Sequence, residues 1–299
     1  MTESEVTPDQ LNSQFACSGL RFEYGPGQLI RGIIDTPAAR GEFYLNGAHV
    51  TAWQPAGHQP VLWMSTASQF VRGKPIRGGI PLCYPWFGPN ANDPAAPAHG
   101  WARLSQWNMI SVKGLPDGGI SVTLELDHSP YHLTYQIDFG GCLRVCLTTD
   151  SSTVPSKLTF EEALHTYFTI GDIHRIKIEG LEGVSFINKV PIPQNCAAEG
   201  QPIVFTGETD RVYINTTDTC HLTDPVMKRR IMVEKSGSQS TVIWNPWIAK
   251  SAKMQDFGDY EWPGMVCIET ANAANNLGTL EPGESHSITA LIRVQSYVP

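Results

Sequence analysis

GISVTLELDHSPYHLTYQIDFGGCLRVCLTTD, residues 119–150, alternates apolar and polar side chains through three successive segments. In the first, Val122 and Leu124 alternate with Thr123 and Glu125, the period-two signature of a half-buried strand. HLTYQIDF and CLRVCLTTD repeat the pattern with β-branched and aromatic enrichment, and HSITALIRVQ does so near the C-terminus. Gly118-Gly119 and Gly140-Gly141 punctuate the run as turns. In EFYLNGAHVTAW, Asn46-Gly47 predicts a hairpin closed by a two-residue turn with positive φ. Helix signals are few: TPDQLNSQ reads as a short capped helix with Pro8 at its first position. With 27 glycines and 22 prolines between many short strands, the chain is expected to be all-β, a large and mostly antiparallel sandwich or barrel-like fold. No repeat, low-complexity tract or composition shift marks a linker. A polar segment, 1–20, should therefore precede one domain, 21–299.

At 299 residues, 41% hydrophobic and 17% charged, the chain can bury a sizeable core. Its net charge of −8 argues against a nucleic-acid surface, and any anionic ligand must be held by a local positive pocket. The N-terminus, MTESEVTPDQLNSQ, has no signal-peptide pattern, and no apolar run approaches the roughly 20 residues of a membrane helix. The seven cysteines show no CxxC and no metal-ligand spacing. Five of them (Cys83, Cys142, Cys146, Cys220, Cys267) lie in or beside apolar runs, as small hydrophobes do. A reduced, cytoplasmic protein without membrane or nucleic-acid partners is expected.

Two strands break their own pattern. In KLTFEEALHTYFTI, Leu164, Thr166, Phe168 and Ile170 share one face, while His165, Tyr167 and Thr169 share the other. A strand histidine is commonly a buried imidazole satisfied by backbone; the alternative is an acid–base group. In GMVCIETANA, Val266 and Ile268 oppose Met265, Cys267 and Glu269. Glu269 is either a carboxylate at the rim of the core or one at the floor of a pocket, where desolvation makes it a useful base.

Loops supply the remaining candidates. IRGGIPLCYPWFG carries Arg77 before Gly78-Gly79, a pair that permits close approach of backbone to a ligand, and Trp86 and Phe87 as a wall for a sugar face. PAHGWAR places His99 and Arg103 four residues apart beside Trp101. TDRVYIN offers Asp210, and VIWNPW offers Trp244 and Trp247. Taken singly, each has an ordinary reading as solvated charge, turn residue or core aromatic.

In order, IRGGIPLCYPWFG, AHGWAR, EALHTYF, TDRVY, WNPW and CIETANA resemble the aldose 1-epimerase superfamily, and more narrowly the bacterial glucose-6-phosphate 1-epimerases, or D-hexose-6-phosphate mutarotases. The match runs from about residue 45 to the C-terminus. The resemblance implies a galactose mutarotase-like β-supersandwich with His165 and the carboxylate Glu269 catalytic. It implies substrate binding by Arg77, Arg103 and Asp210, and a sugar-holding role for His99. Where some relatives use a glutamine for substrate, this chain has Ala98.

Mutarotation needs no cofactor and no metal. A base removes the anomeric proton while an acid protonates the ring oxygen. Glu269 as an ionised base and His165 as a protonated acid, on distant strands and opposite sides of a pyranose, are expected to meet that need. Arg77 and Arg103 at the pocket mouth would take a hexose 6-phosphate, and the active unit is expected to be a monomer. A non-catalytic sugar-binding domain and a mutarotase of free aldoses are the competing readings. A glycoside hydrolase would require a second carboxylate.

Overall fold

The computed structural model describes residues 6–151 and 156–298. Two eight-stranded sheets enclose the main apolar core. One runs in the order Lys177–Glu179, Cys220–Asp224, Arg229–Ser236, Ser285–Ser296, Leu143–Asp150, Tyr131–Phe139, Ile120–His128, Asn108–Gly114. Its alternating residues Val122, Leu124, Tyr135, Ile137, Val145, Leu147 and Ile288 all face that core, as the period-two pattern predicts.

The second sheet carries the chemistry. Its order is Gln194–Cys196, Phe186–Asn188, Thr209–Ile214, Ser240–Asn245, Met265–Asn272, Glu162–Leu164, Leu82–Cys83, with Tyr167–Thr169 also pairing to Met265–Asn272. Both faces are covered. Leu164, Phe168, Val266 and Ile268 enter the main core, while Tyr167, Trp244, Met265 and Cys267 form a separate cluster on the opposite face. All eight residues of Met265–Asn272 are buried, so this strand has no solvent-facing side chain.

A four-stranded antiparallel sheet, Leu20–Tyr24, Ile30–Asp35, Ala39–Tyr44, His49–Pro55, adds Phe22, Phe43 and Trp53 to the main core, and Leu158–Phe160 pairs with Gly278–Leu280. The mostly antiparallel strands give the expected all-β sandwich. The first five residues, read above as the start of a non-signal N-terminus, lie outside the described residues.

Pro8–Gln14 is the capped helix read from TPDQLNSQ. Thr7 accepts from the Gln10 backbone N–H, and the Gln10 side-chain oxygen accepts from the Thr7 N–H. Leu11 of this helix reaches the main core.

The Asn46-Gly47 hairpin forms, but the last cross-strand pair is Tyr44 with His49, so four residues make the turn. Tertiary bonds take up the extra backbone. Gly47 N–H donates to Ser105, Trp107 N–H donates to Leu45, and the Asn46 side chain ties residues 73 and 74.

Candidate active site

His165 sits where its strand breaks. Glu162–Leu164 and Tyr167–Thr169 both pair with Met265–Asn272, and at the break His165 N–H donates to Pro81 while Tyr167 N–H donates to Gly79. The interruption keeps the alternation intact. His165 and Tyr167 share a face, their rings stacked with centroids 4.8 Å apart at 9°. Glu269 stands on the neighbouring strand, and His165 Nε2 lies 3.4 Å from Glu269 Oε1. The two groups, far apart in sequence, are thus adjacent in one sheet. They stand together on one side of the pocket; the expectation of opposite sides is corrected.

The pocket they floor has a volume of about 380 Å³, within the range of small-molecule sites. His165, Glu269, His99, Arg77, Arg103 and Asp210 all line it, so the six polar residues that the family resemblance named converge there. Tyr167, Lys189 and Lys250 line it too and were not foreseen. Tyr167 was legible as the residue two beyond His165 on the same face; nothing in the sequence marks the two lysines.

Burial sets the protonation states. Desolvation, reinforced by His99 and the two arginines, pushes His165 well below the usual imidazole range. Desolvation, with Asp210 adding to it, pushes Glu269 well above the usual carboxylate range. Both neutral forms are favoured, so a protonated His165 facing an ionised Glu269 is not the resting state. One proton shared by the pair survives the change, held by the carboxyl. Glu269 Oε2 and His165 Nδ1 are buried without a hydrogen-bond partner among the described residues.

His99 is also neutral, brought down to about 3 by desolvation and then by Arg103, Arg77 and the two lysines. Its Nδ1 accepts from Gly88 N–H, which leaves its proton on Nε2 as a donor. The residue holds φ 63, and Gly100 beside it φ 74. A Cβ on Gly100 would lie 1.9 Å from Tyr84 O, so only glycine fits. Trp101 then stacks on His128 at 3.8 Å and packs edge-on to Tyr84, which anchors the loop.

The arginines are not equivalent. Arg77 donates to both oxygens of Asp256, at 3.1 to 3.3 Å, and through Nη1 to Tyr167 Oη at 2.9 Å. Burial disfavours its charge, but Tyr167 and Asp256 outweigh burial and keep it firmly protonated. Arg103 has no carboxylate partner among the described residues: Nη2 donates to Ala98 O at 2.7 Å, and Nε is buried without a partner. Desolvation, with Arg77 adding to it, lowers its proton affinity against the weaker pull of Cys83, Tyr167 and Asp256. Arg77 therefore belongs to the pocket wall and Arg103 is the available guanidinium.

Lys189 lies over the Phe87 ring at 5.2 Å. Lys250 contacts Glu208 at 3.2 Å and Asp210 at 3.7 Å. Burial raises Asp210 against the pull of Lys250 and Lys189.

Three loop expectations are revised. The glycines of IRGG approach neighbouring backbone, not a ligand: a Cβ on Gly79 would fall 2.1 Å from Val50 O. The aromatic walls are Phe87 and Trp244, whereas Trp86 donates to Pro97 O and secures the proline-rich loop. Trp247 packs against Trp262 away from the pocket, its ring centroid 4.4 Å from that partner.

The family model described as aldose 1-epimerase matches residues 34–293. A protein of Escherichia coli (strain K12) named "Putative glucose-6-phosphate 1-epimerase" is 37% identical over 264 residues, covering 85% of this chain and 87% of its own. A protein of the same name from Cenchrus ciliaris is 34% identical over 261 residues, covering 81% and 78%. The crystal structure of a Salmonella typhimurium protein described as "a putative mutarotase" superposes with a TM-score of 0.87 at 30% identity, over 94% of this chain and 95% of that one.

Proposed function

The chain belongs to the aldose 1-epimerase family and is an isomerase; on that premise we propose that it interconverts the α and β anomers of a D-hexose 6-phosphate, glucose 6-phosphate foremost, with His165 and Glu269 as the acid–base pair. The observation that carries the reading is the 3.4 Å contact of this pair on the floor of a pocket whose rim holds an unpaired guanidinium.

In a pyranose the anomeric oxygen and the ring oxygen are bonded to the same carbon. An acid and a base side by side reach both at once, which explains why adjacency serves better than flanking positions. One member takes the proton of the anomeric hydroxyl as the carbonyl forms. The C1–O5 bond breaks, and the ring oxygen receives the proton of the other member. Rotation about C1–C2 presents the second carbonyl face, and closure runs the transfers backward. The proton count of the pair is unchanged by a full turnover. Each positioned transfer contributes roughly 10²–10⁴-fold in rate.

Substrate binding tunes the pair. Arg103 and Arg77 both depress His165. Arg103 lowers Glu269 as well, so a phosphate on this guanidinium raises the proton affinity of both members of the pair. His99 Nε2–H, Asp210 and Lys250 are suited to the sugar hydroxyls, and Arg103 and Lys189 to the phosphate. We read the active unit as a monomer in a reducing cytoplasm, in keeping with seven free cysteines; residues 21–299 act as one domain.

Exchange spectroscopy on an equilibrated anomer mixture tests the activity. Magnetisation transfer between α- and β-glucose 6-phosphate must accelerate with enzyme concentration. A tight sugar phosphate complex with the uncatalysed exchange rate would instead identify a binding domain.

A further inference from the structure

The strands that position the acid–base pair also place a thiol beneath it that mutarotation does not use. Cys267 precedes Glu269 by two residues on the same strand face, and lies opposite Tyr167, two residues beyond His165. One ligand atom each from His165, Cys267 and Glu269 lies within 4.8 Å of the others, and all three residues are buried. The Nε2 to Oε1 separation of 3.4 Å suits two ligands of one tetrahedral ion, since bonds of about 2.0–2.1 Å at that angle hold such atoms about 3.3–3.4 Å apart. Glu269 Oε2 adds an independent sign: it is a buried carboxyl oxygen without a partner among the described residues.

Nitrogen, sulfur and oxygen donors together select a borderline-soft divalent cation such as Zn²⁺ or Co²⁺. Mg²⁺ and Ca²⁺ prefer all-oxygen shells and are disfavoured. Three protein ligands with the fourth position toward the cavity make an open site.

We propose that His165, Cys267 and Glu269 form a binding site for Zn²⁺ or a similar borderline-soft cation, and that its occupation closes the pocket to sugar. The ion takes the imidazole lone pair, the carboxylate and the thiolate. The thiol proton and the proton of Glu269 pass to solvent, and no electron changes hands. Scattered in sequence without a CxxC, the three ligands are brought together only by the pairing of Tyr167–Thr169 with Met265–Asn272.

The test has two arms. The direct arm titrates the metal-free protein with Co²⁺ and follows thiolate-to-cobalt charge-transfer absorption. Wild type shows one such site, displaced by Zn²⁺, and both Cys267→Ala and Cys267→Ser lose it. The kinetic arm, which rests on the mutarotase reading, measures anomer exchange in Zn²⁺ with and without EDTA. Inhibition is competitive with sugar phosphate, is reversed by EDTA, and weakens at least roughly tenfold in both variants, since losing even an outer partner costs that much affinity. The variants keep the metal-free exchange rate. Absorption that persists in both variants, which would place the metal on the less buried Cys17, Cys142 or Cys196, overturns the proposal, as does undiminished Zn²⁺ inhibition. If the wild type catalyses no exchange, the mutarotase reading falls and the cobalt titration still decides the metal site.

Discussion

Replacing Arg103 with alanine should separate the recognition of phosphate from the recognition of sugar. Arg103 gives one hydrogen bond to Ala98 O and faces no carboxylate among the described residues, so the free protein loses little when it is truncated. A phosphate oxygen bonded to this guanidinium makes a charge-assisted contact worth about 1.5–3 kcal/mol. At about 1.4 kcal/mol per factor of ten, KM for glucose 6-phosphate should rise roughly 10- to 150-fold, with kcat reduced less. Free glucose, which brings no phosphate, should be affected only a few-fold. Arg77→Ala should behave differently, because it strips Asp256 and Tyr167 of their partner. Leaving a largely buried acid unsatisfied costs about 1–3 kcal/mol, so that variant should unfold at lower temperature and lose both substrates alike. Exchange rates for the two sugars, with a thermal melt of each variant, make the comparison. Equal losses for glucose and glucose 6-phosphate in Arg103→Ala would refute the phosphate assignment.

Glu269→Gln and His165→Ala should each lower kcat by at least roughly 10²-fold, and the double variant should be scarcely worse, because the two act as one unit; a product of the single effects in the double variant would contradict a shared proton. Glu269→Gln should also raise the melting temperature above pH 6. A carboxyl whose folded pKa is raised loses stability as pH climbs past its unfolded value, and the amide escapes that loss. His49 and His99, held at about 4 and about 3 by burial, should stay neutral at pH 5.5 by imidazole NMR. Because the unfolded chain protonates both below about pH 6.5, each should lower stability on acidification by at most about 1.4 kcal/mol per pH unit; His165, lowered by burial, adds to this, while His286, raised by Glu162, and Glu269 and Asp210, raised by burial, oppose it. Imidazole resonances of His49 or His99 that titrate between pH 6.5 and 5 would contradict the neutral-histidine reading. Gly100→Ala, with φ 74 and Tyr84 O in the path of its Cβ, should destabilise by more than about 1–2 kcal/mol and impair turnover through misplacement of His99 and Arg103; an unchanged melt would show that the loop can relax.

The sheets were legible wherever alternation ran long enough to outvote local exceptions. Residues 120–150 show this, as do the opposed faces of 164–170 and 265–269, which disclosed His165 and Glu269 as polar intrusions. What stayed hidden depends on contacts between elements distant in sequence. Asp256, which neutralises Arg77 across 179 positions, leaves no local trace, so two arginines in similar loops read as equivalent. Lys189 and Lys250 resemble ordinary solvated lysines until the fold brings a loop and the short helix Trp247–Ser251 to one cavity. Asn46-Gly47 announces a hairpin correctly, yet its turn length is set by Ser105 and Trp107, which local turn rules cannot weigh. The protonation of the pair was misread for a related reason: sequence names the titratable groups, while their charge depends on how completely solvent is excluded.

The carboxylate of the pair is carried on a strand bonded along both edges and shielded on both faces. Amide hydrogen exchange there should proceed only through global unfolding. This strand offers no hinge that could withdraw Glu269 and return it, so movement at the pocket is left to the loops that carry His99, Arg103 and Lys189.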